Sequence, residues 1–91
     1  MNIESDKTFA VSEDVLFQEV SGETVLLDLN SESYFGLDEV GTRIWQMLSG
    51  GSSVAAMIEV LLEEYDVERG QLERDVEELL NSLIEAGLIT V

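Results

Sequence analysis

The chain lacks cysteine, histidine and proline. Without cysteine there is no disulfide framework and no thiolate metal site. Without histidine the commonest general base and the commonest zinc ligand are missing, and so is any Ser-His or Cys-His couple. Cations are nearly as scarce. Lys7, Arg43, Arg69 and Arg74 stand against twenty acids, for a formal net charge of −16. A nucleic acid needs cationic groups to replace its counterions, and four scattered ones make no such patch. The field of the whole chain repels phosphate, which also disfavours an anionic membrane surface. A neutral or cationic partner is the kind this charge permits.

Other signals are missing as well. No apolar run approaches the length of a membrane span. Met1–Ser12 is polar, with Glu4 and Asp6 and no signal-peptide core, so a cytoplasmic location is expected. No segment has the alternating acids, central glycine and closing glutamate of a calcium loop. Ser52-Ser53-Val54 opens a helix but lacks the preceding acid of a carrier-protein serine, so capping accounts for it. Paired carboxylates are the remaining acid–base machinery. The acids stand mostly at helical spacing on polar faces, which is the pattern of solvated surface. The expectation is a binding module that is not an enzyme and carries no cofactor and no metal.

The 91 residues amount to one domain, and 45% of them are apolar, a globular composition. Residues 1–12 lack clear periodicity and are expected to be flexible, with the domain proper spanning 13–91. Val15–Val20 and Glu23–Leu29 read as strands joined by the two-residue turn Ser21-Gly22. With Asp28 taken to face water, Thr24 and Leu26 share its side, and Val25, Leu27 and Leu29 face the core. Asn30-Ser31-Glu32 is turn chemistry, and Ser33–Leu37 is a third strand.

From Asp38 the apolar period becomes helical. Asp38 is an N-cap, and Leu37, Val40, Ile44, Trp45 and Leu48 form a stripe that ends at Gly50-Gly51. A second helix carries Val54, Met57, Ile58, Leu61, Leu62 and Tyr65. A third runs from about Arg69 to Ala86 with Leu72, Val76, Leu79, Leu80, Leu83 and Ile84. Gly87 closes it, and Leu88–Val91 is an apolar tail that pairs or packs. The fold class is therefore α+β: a three-stranded antiparallel sheet followed by three helices, like a winged helix-turn-helix.

That shape suggests DNA binding, but the third helix carries Glu73, Asp75, Glu77, Glu78 and Glu85, the wrong sign for phosphate. An open sheet edge offers another use: an extended peptide can add to it as a further strand. Tyr34, turned away from the helices by alternation, is equally an ordinary cross-strand residue or an anchor for a partner chain. The third helix is apolar over a wide arc. Its flank of Asp75, Leu79 and Ser82 either packs or borders a groove.

The stretch Val25-Leu26-Leu27-Asp28-Leu29-Asn30, followed by Tyr34-Phe35-Gly36-Leu37-Asp38-Glu39-Val40-Gly41-Thr42-Arg43-Ile44-Trp45, resembles the PqqD-type peptide chaperones. So do Asp75–Leu80 and the ending Leu83-Ile84-Glu85-Ala86-Gly87-Leu88-Ile89. The resemblance covers roughly Val15 to Val91. It implies a RiPP recognition element, a winged helix-turn-helix that binds the leader of a precursor peptide between the third strand and third helix. A modifying enzyme then receives that leader. The nearest subtype is the free-standing leader-binding protein of split lasso-peptide maturation, which works with a leader peptidase and a cyclase; pyrroloquinoline-quinone biosynthesis is the competitor. Carried onto this chain, one groove wall would be Ser33, Tyr34, Phe35 and Leu37. The other would be Asp75, Val76, Glu78, Leu79, Ser82 and Leu83, with Arg74 available to a leader acid. The expected partners are a precursor peptide and a leader peptidase or other maturation enzyme. Two alternatives are an acidic winged-helix regulator acting on other proteins and, more remotely, a carboxylate-dependent enzyme.

Overall fold

The computed structural model describes residues 6–91. The elements run β1 (Ala10–Val11), β2 (Val15–Val20), β3 (Glu23–Asp28), β4 (Ser33–Leu37), α1 (Glu39–Ser49), α2 (Val54–Glu64), α3 (Arg69–Glu85) and β5 (Ile89–Thr90). The expected α+β order is present: β2, β3 and β4 form an antiparallel meander, and three helices follow.

Local chemistry sets these boundaries. Ser21 and Gly22 both take positive φ, 54° and 82°, the geometry of the tight turn that matches strand twist. The Asp38 carboxylate accepts from the Gly41 N–H at 2.8 Å and starts α1, and the Ser53 hydroxyl accepts from the Ala56 N–H at 3.2 Å and starts α2. α3 closes as expected. Gly87 has φ 76°, its N–H donates to the Ile84 carbonyl, and the Leu88 N–H donates to the Leu83 carbonyl, each at 3.0 Å.

β3 faces the opposite way from the sequence expectation, while β4 keeps the expected one, with Phe35 and Leu37 toward the helices and Tyr34 away. Register places Phe17, Leu26 and Phe35 in one row, with Glu19, Thr24 and Leu37 beside them. α1 covers this face, and Trp45 meets Phe17 edge-on with ring centroids 6.0 Å apart. Leu26 is 0% exposed while Val25 is 46% exposed. Asp28, expected in water, is buried on the covered side. The reason is local: its Oδ1 accepts from the Asn30 N–H and its Oδ2 from the Ser31 hydroxyl, both at 3.0 Å. A carboxylate supplied with donors by its own turn is buried without the cost of an orphaned charge.

The N-terminal segment also departs from the expected irregularity. Its residues 1–5 lie outside the described residues, but Phe9 is buried, and Ala10 and Val11 pair with Thr90 and Ile89. The Val54 N–H donates to the Lys7 carbonyl at 3.1 Å, and the Ser12 N–H donates to the Leu88 carbonyl at 3.0 Å. The apolar tail after Gly87 needs cover, and Phe9 and Val11 supply it.

The face assignment is checked by urea unfolding. Leu26→Ala should cost about 2–5 kcal/mol, as deletion of a buried leucine side chain does. Val25→Ala should stay within about 1 kcal/mol. Comparable losses at the two positions would contradict the observed face.

Candidate functional site

β4 has β3 as its single strand partner among the described residues. Its other edge presents backbone N–H and C=O groups with no strand to receive them. Beside this edge lies a cleft of about 450 Å³ lined by Gly36, Leu37, Asp38, Val40, Gly41, Ile44, Asp75 and Leu79. One wall is the corner where β4 turns into α1, and the other is the middle of α3.

The corner is tight because one residue, Asp38, separates strand from helix. A Cβ on Gly41 would stand 3.2 Å from Asp38 Oδ1 and 3.3 Å from Leu37 Cβ, so a larger residue would press on the cap. Gly36 has nothing within 4 Å of where a Cβ would be, and so leaves the strand backbone open to an incoming chain. Leu37, Ile44 and Leu79 give the cleft an apolar floor. Asp38 and Asp75 give it one carboxylate on each wall. Asp75 accepts from the Gln71 side chain at 2.8 Å, and Arg74 donates to Gln71 at 3.1 Å, so α3's flank is ordered by a neutral amide.

Two other arginines are committed to ion pairs. Arg43 holds Glu64 through three hydrogen bonds of 2.9, 3.1 and 2.8 Å, joining α1 to α2, and Arg69 bonds Glu59, joining α2 to α3. The Glu64 carboxylate holds the Arg43 guanidinium above its ordinary range. The cleft therefore keeps an acidic rim over an apolar floor. It suits an extended chain that brings apolar side chains and a cation. Among the described residues, no cluster of carboxylates is placed to hold a metal, and no helix is long and apolar enough to cross a membrane.

Of the residues expected at this site, Leu37, Asp75 and Leu79 line the cleft. Ser33 and Phe35 share the covered face of β4 with Leu37, and Glu78, Ser82 and Arg74 are exposed on α3. Tyr34 emerges on the opposite, open face of the sheet and is 73% exposed. Val76 and Leu83 need correction: both are 0% exposed and belong to the core behind the wall. The helical stripe was wide enough that its inner half had to be consumed by packing. Gly36, Asp38, Val40, Gly41 and Ile44 were missed as lining residues. Each had a sufficient structural reading as cap, stripe or strand residue. The signal that pointed to them was the direct strand-to-helix junction.

Residues 23–89 match the family model described as "Coenzyme PQQ synthesis protein D (PqqD)". The chain belongs to the PqqD family. Proteins called "PqqA binding protein" from two Rhodopseudomonas palustris strains, ATCC BAA-98 / CGA009 and TIE-1, are each 34% identical to this PqqD-family chain over 62 residues. The matched stretch is 68% of this chain and 61% of those relatives. Among solved structures, "TbiB1 in Complex with the TbiA(beta) Leader Peptide" is similar at a TM-score of 0.83 and 36% identity, over 88% of this chain and 93% of that one. "Lasso peptide synthetase B1 complexed with the leader peptide" is similar at a TM-score of 0.85 and 33% identity, over 93% of this chain and 100% of that one.

The division of α3 between core and cleft has a stability signature. Val76→Ala and Leu83→Ala should each destabilise the fold, Leu83→Ala by about 2–5 kcal/mol. Leu79→Ala, half-buried at the cleft, should cost about 1 kcal/mol. Chemical denaturation of the three variants checks the ranking.

Proposed function

We propose that this PqqD-family chain binds the leader segment of a ribosomally made precursor peptide and delivers it to a maturation enzyme, a leader peptidase of lasso-peptide biosynthesis. The leader adds as a strand to the free edge of β4 and lies against α3. The observation that carries this reading is the open β4 edge beside a cleft with an apolar floor. It occurs in a fold that matches two leader-peptide complexes over nearly its whole length. The lasso subtype is preferred because both similar solved structures are leader-peptide complexes, one of them of a lasso peptide synthetase B1, and the match covers 93% and 100% of those chains.

In this reading β4 backbone groups bond the leader main chain. Ser33, Phe35 and Leu37 line one side, with Tyr34 beside the outward-facing half of the added strand. Asp75, Glu78, Leu79 and Ser82 line the other side. Leader apolar side chains fill the floor over Ile44 and Leu79. Asp38 and Asp75 accept from a leader lysine, arginine or tyrosine, and Arg74 meets a leader acid. The protein performs no bond chemistry itself. It raises the effective concentration of precursor at the enzyme. A ribosomally made ligand supports a cytoplasmic location for its binding protein.

The test is fluorescence polarisation with a labelled leader segment from any short precursor reading frame that genome sequence places beside this gene. Saturable binding at micromolar affinity or tighter is expected. Leu79→Ala should weaken it about tenfold, the loss of roughly 1.4 kcal/mol of contact at a central apolar residue. No saturable binding by the folded parent protein would overturn the proposal.

A further inference from the structure

The side of the sheet that α1 does not cover is apolar. Register puts Leu16, Val20, Val25, Leu27 and Tyr34 on this open face. Leu16 and Val20 are 55% and 58% exposed. A shallow depression of about 610 Å³ is lined by Leu16, Gln18, Val25, Leu27 and Tyr34 on this face and reaches round the β2 edge to Val15 and Phe17. In a small monomeric domain such a contiguous patch marks an interaction surface. The strands also lie in the part of the chain with no cation. Between Lys7 and Arg43 stand eight acids and no basic residue: Glu13, Asp14, Glu19, Glu23, Asp28, Glu32, Asp38 and Glu39. Of these, Glu23 shares the open face itself, at its Val20 end.

From this we infer that the open face of the β2–β4 sheet docks a folded protein partner that presents an apolar patch rimmed by lysine and arginine. That partner is the maturation enzyme to which the leader is delivered, so the identity of the partner rests on the function proposed above. Charge complementarity selects this occupant. A second copy of the chain would bring net −16 against net −16 and set Glu23 among acids with no cation from either sheet. The face is also continuous, through Tyr34, with the β4 edge that receives the leader. A protein held there sits next to the bound peptide without competing for the cleft, which lies on the other side of the sheet.

The experiment uses Leu16→Ser/Val20→Ser, a double change on β2, two strands away from the leader edge. A second variant, Glu23→Lys, alters the acidic rim alone. Circular dichroism and urea melts confirm that both fold. Binding to a leader peptidase, taken from the same gene neighbourhood where genome sequence shows one, is measured without precursor. Leader binding is measured separately by fluorescence polarisation. The double variant is expected to lose peptidase binding at least tenfold while keeping leader affinity within twofold. Glu23→Lys is expected to slow association and flatten its salt dependence. Undiminished peptidase binding by the folded double variant overturns the inference, and so does a parallel loss of leader affinity. Concentration-dependent dimerisation of the parent, abolished by the double change, assigns the face to a second copy and overturns it too. Peptidase binding through this face by a protein that takes no leader would sustain the surface and defeat the leader reading, so the two failures are separable.

Discussion

The rest of the structure depends on the corner between β4 and α1. A single residue, Asp38, separates the strand from the helix, and its carboxylate caps the first turn. With no loop to absorb error, the direction of α1 is fixed by the strand that precedes it. α1 is thereby laid across the row Phe17–Leu26–Phe35, with Trp45 buried beneath it. Gly41 allows the helix to press against the strand end. Once α1 is set, ion pairs on the surface orient the remaining helices: Arg43–Glu64 and then Arg69–Glu59. Each contributes little energy on its own, since both are exposed. The buried apolar residues of α2 and α3 supply the energy, and the result is that α3's flank stands beside the free edge of β4.

Much of this was legible in the sequence. Both turn-forming pairs and four of the six helix boundaries carry local signals: Ser21-Gly22, Asp38, Ser53, Gly50-Gly51 and Gly87; the end of α2 and the start of α3, where Glu68 makes no side-chain cap bond, do not. Their chemistry acts over three or four residues, so tertiary context has little room to override it. The peptide edge was legible too, because a strand that precedes a helix and has one hairpin neighbour is left with a free side. The assignment of sheet faces failed at one residue. Asp28 was read by its charge, when its local turn decides its position. Each face of β3 carries a leucine, Leu26 on one and Leu27 on the other, so hydrophobicity did not arbitrate, and the placement of a single carboxylate reversed the whole strand. The pairing of Ala10–Val11 with Ile89–Thr90 was hidden for another reason. Two-residue strands have no periodicity, and the contact joins opposite ends of the chain.

The same reversal carries the functional argument further. Had Val25 and Leu27 faced the core as expected, β3 would have shown Thr24, Leu26 and Asp28 to the outside, one large apolar side chain between two polar ones. The actual arrangement buries Thr24, Leu26 and Asp28 and leaves Val25, Leu27 and their neighbours outside. An apolar outer face costs solubility and invites aggregation. Part of the chain's acidity acts against that, because a strongly negative surface keeps copies apart while remaining attractive to a basic partner.

The distribution of the four cations sharpens this point. Arg43 and Arg69 are engaged by helix glutamates, Arg74 bonds Gln71 on the cleft flank, and Lys7 lies before the sheet. None falls in β2, β3 or β4. The sheet's outer face is therefore apolar, and the one charged strand residue on it, Glu23, is an acid. Apolar area alone does not discriminate among partners, because any greasy surface can cover it. A one-signed rim discriminates through repulsion as well as attraction. It rejects the chain's own copies and other acidic proteins, and it accelerates encounter with a cationic one. The proposed peptide-binding edge and the proposed docking face thus make different demands on one small sheet. The edge is selected by backbone geometry and the α3 flank, and the face by charge. Three strands serve both because the two surfaces share only β4, whose Phe35 and Leu37 turn toward the helices while Tyr34 turns outward.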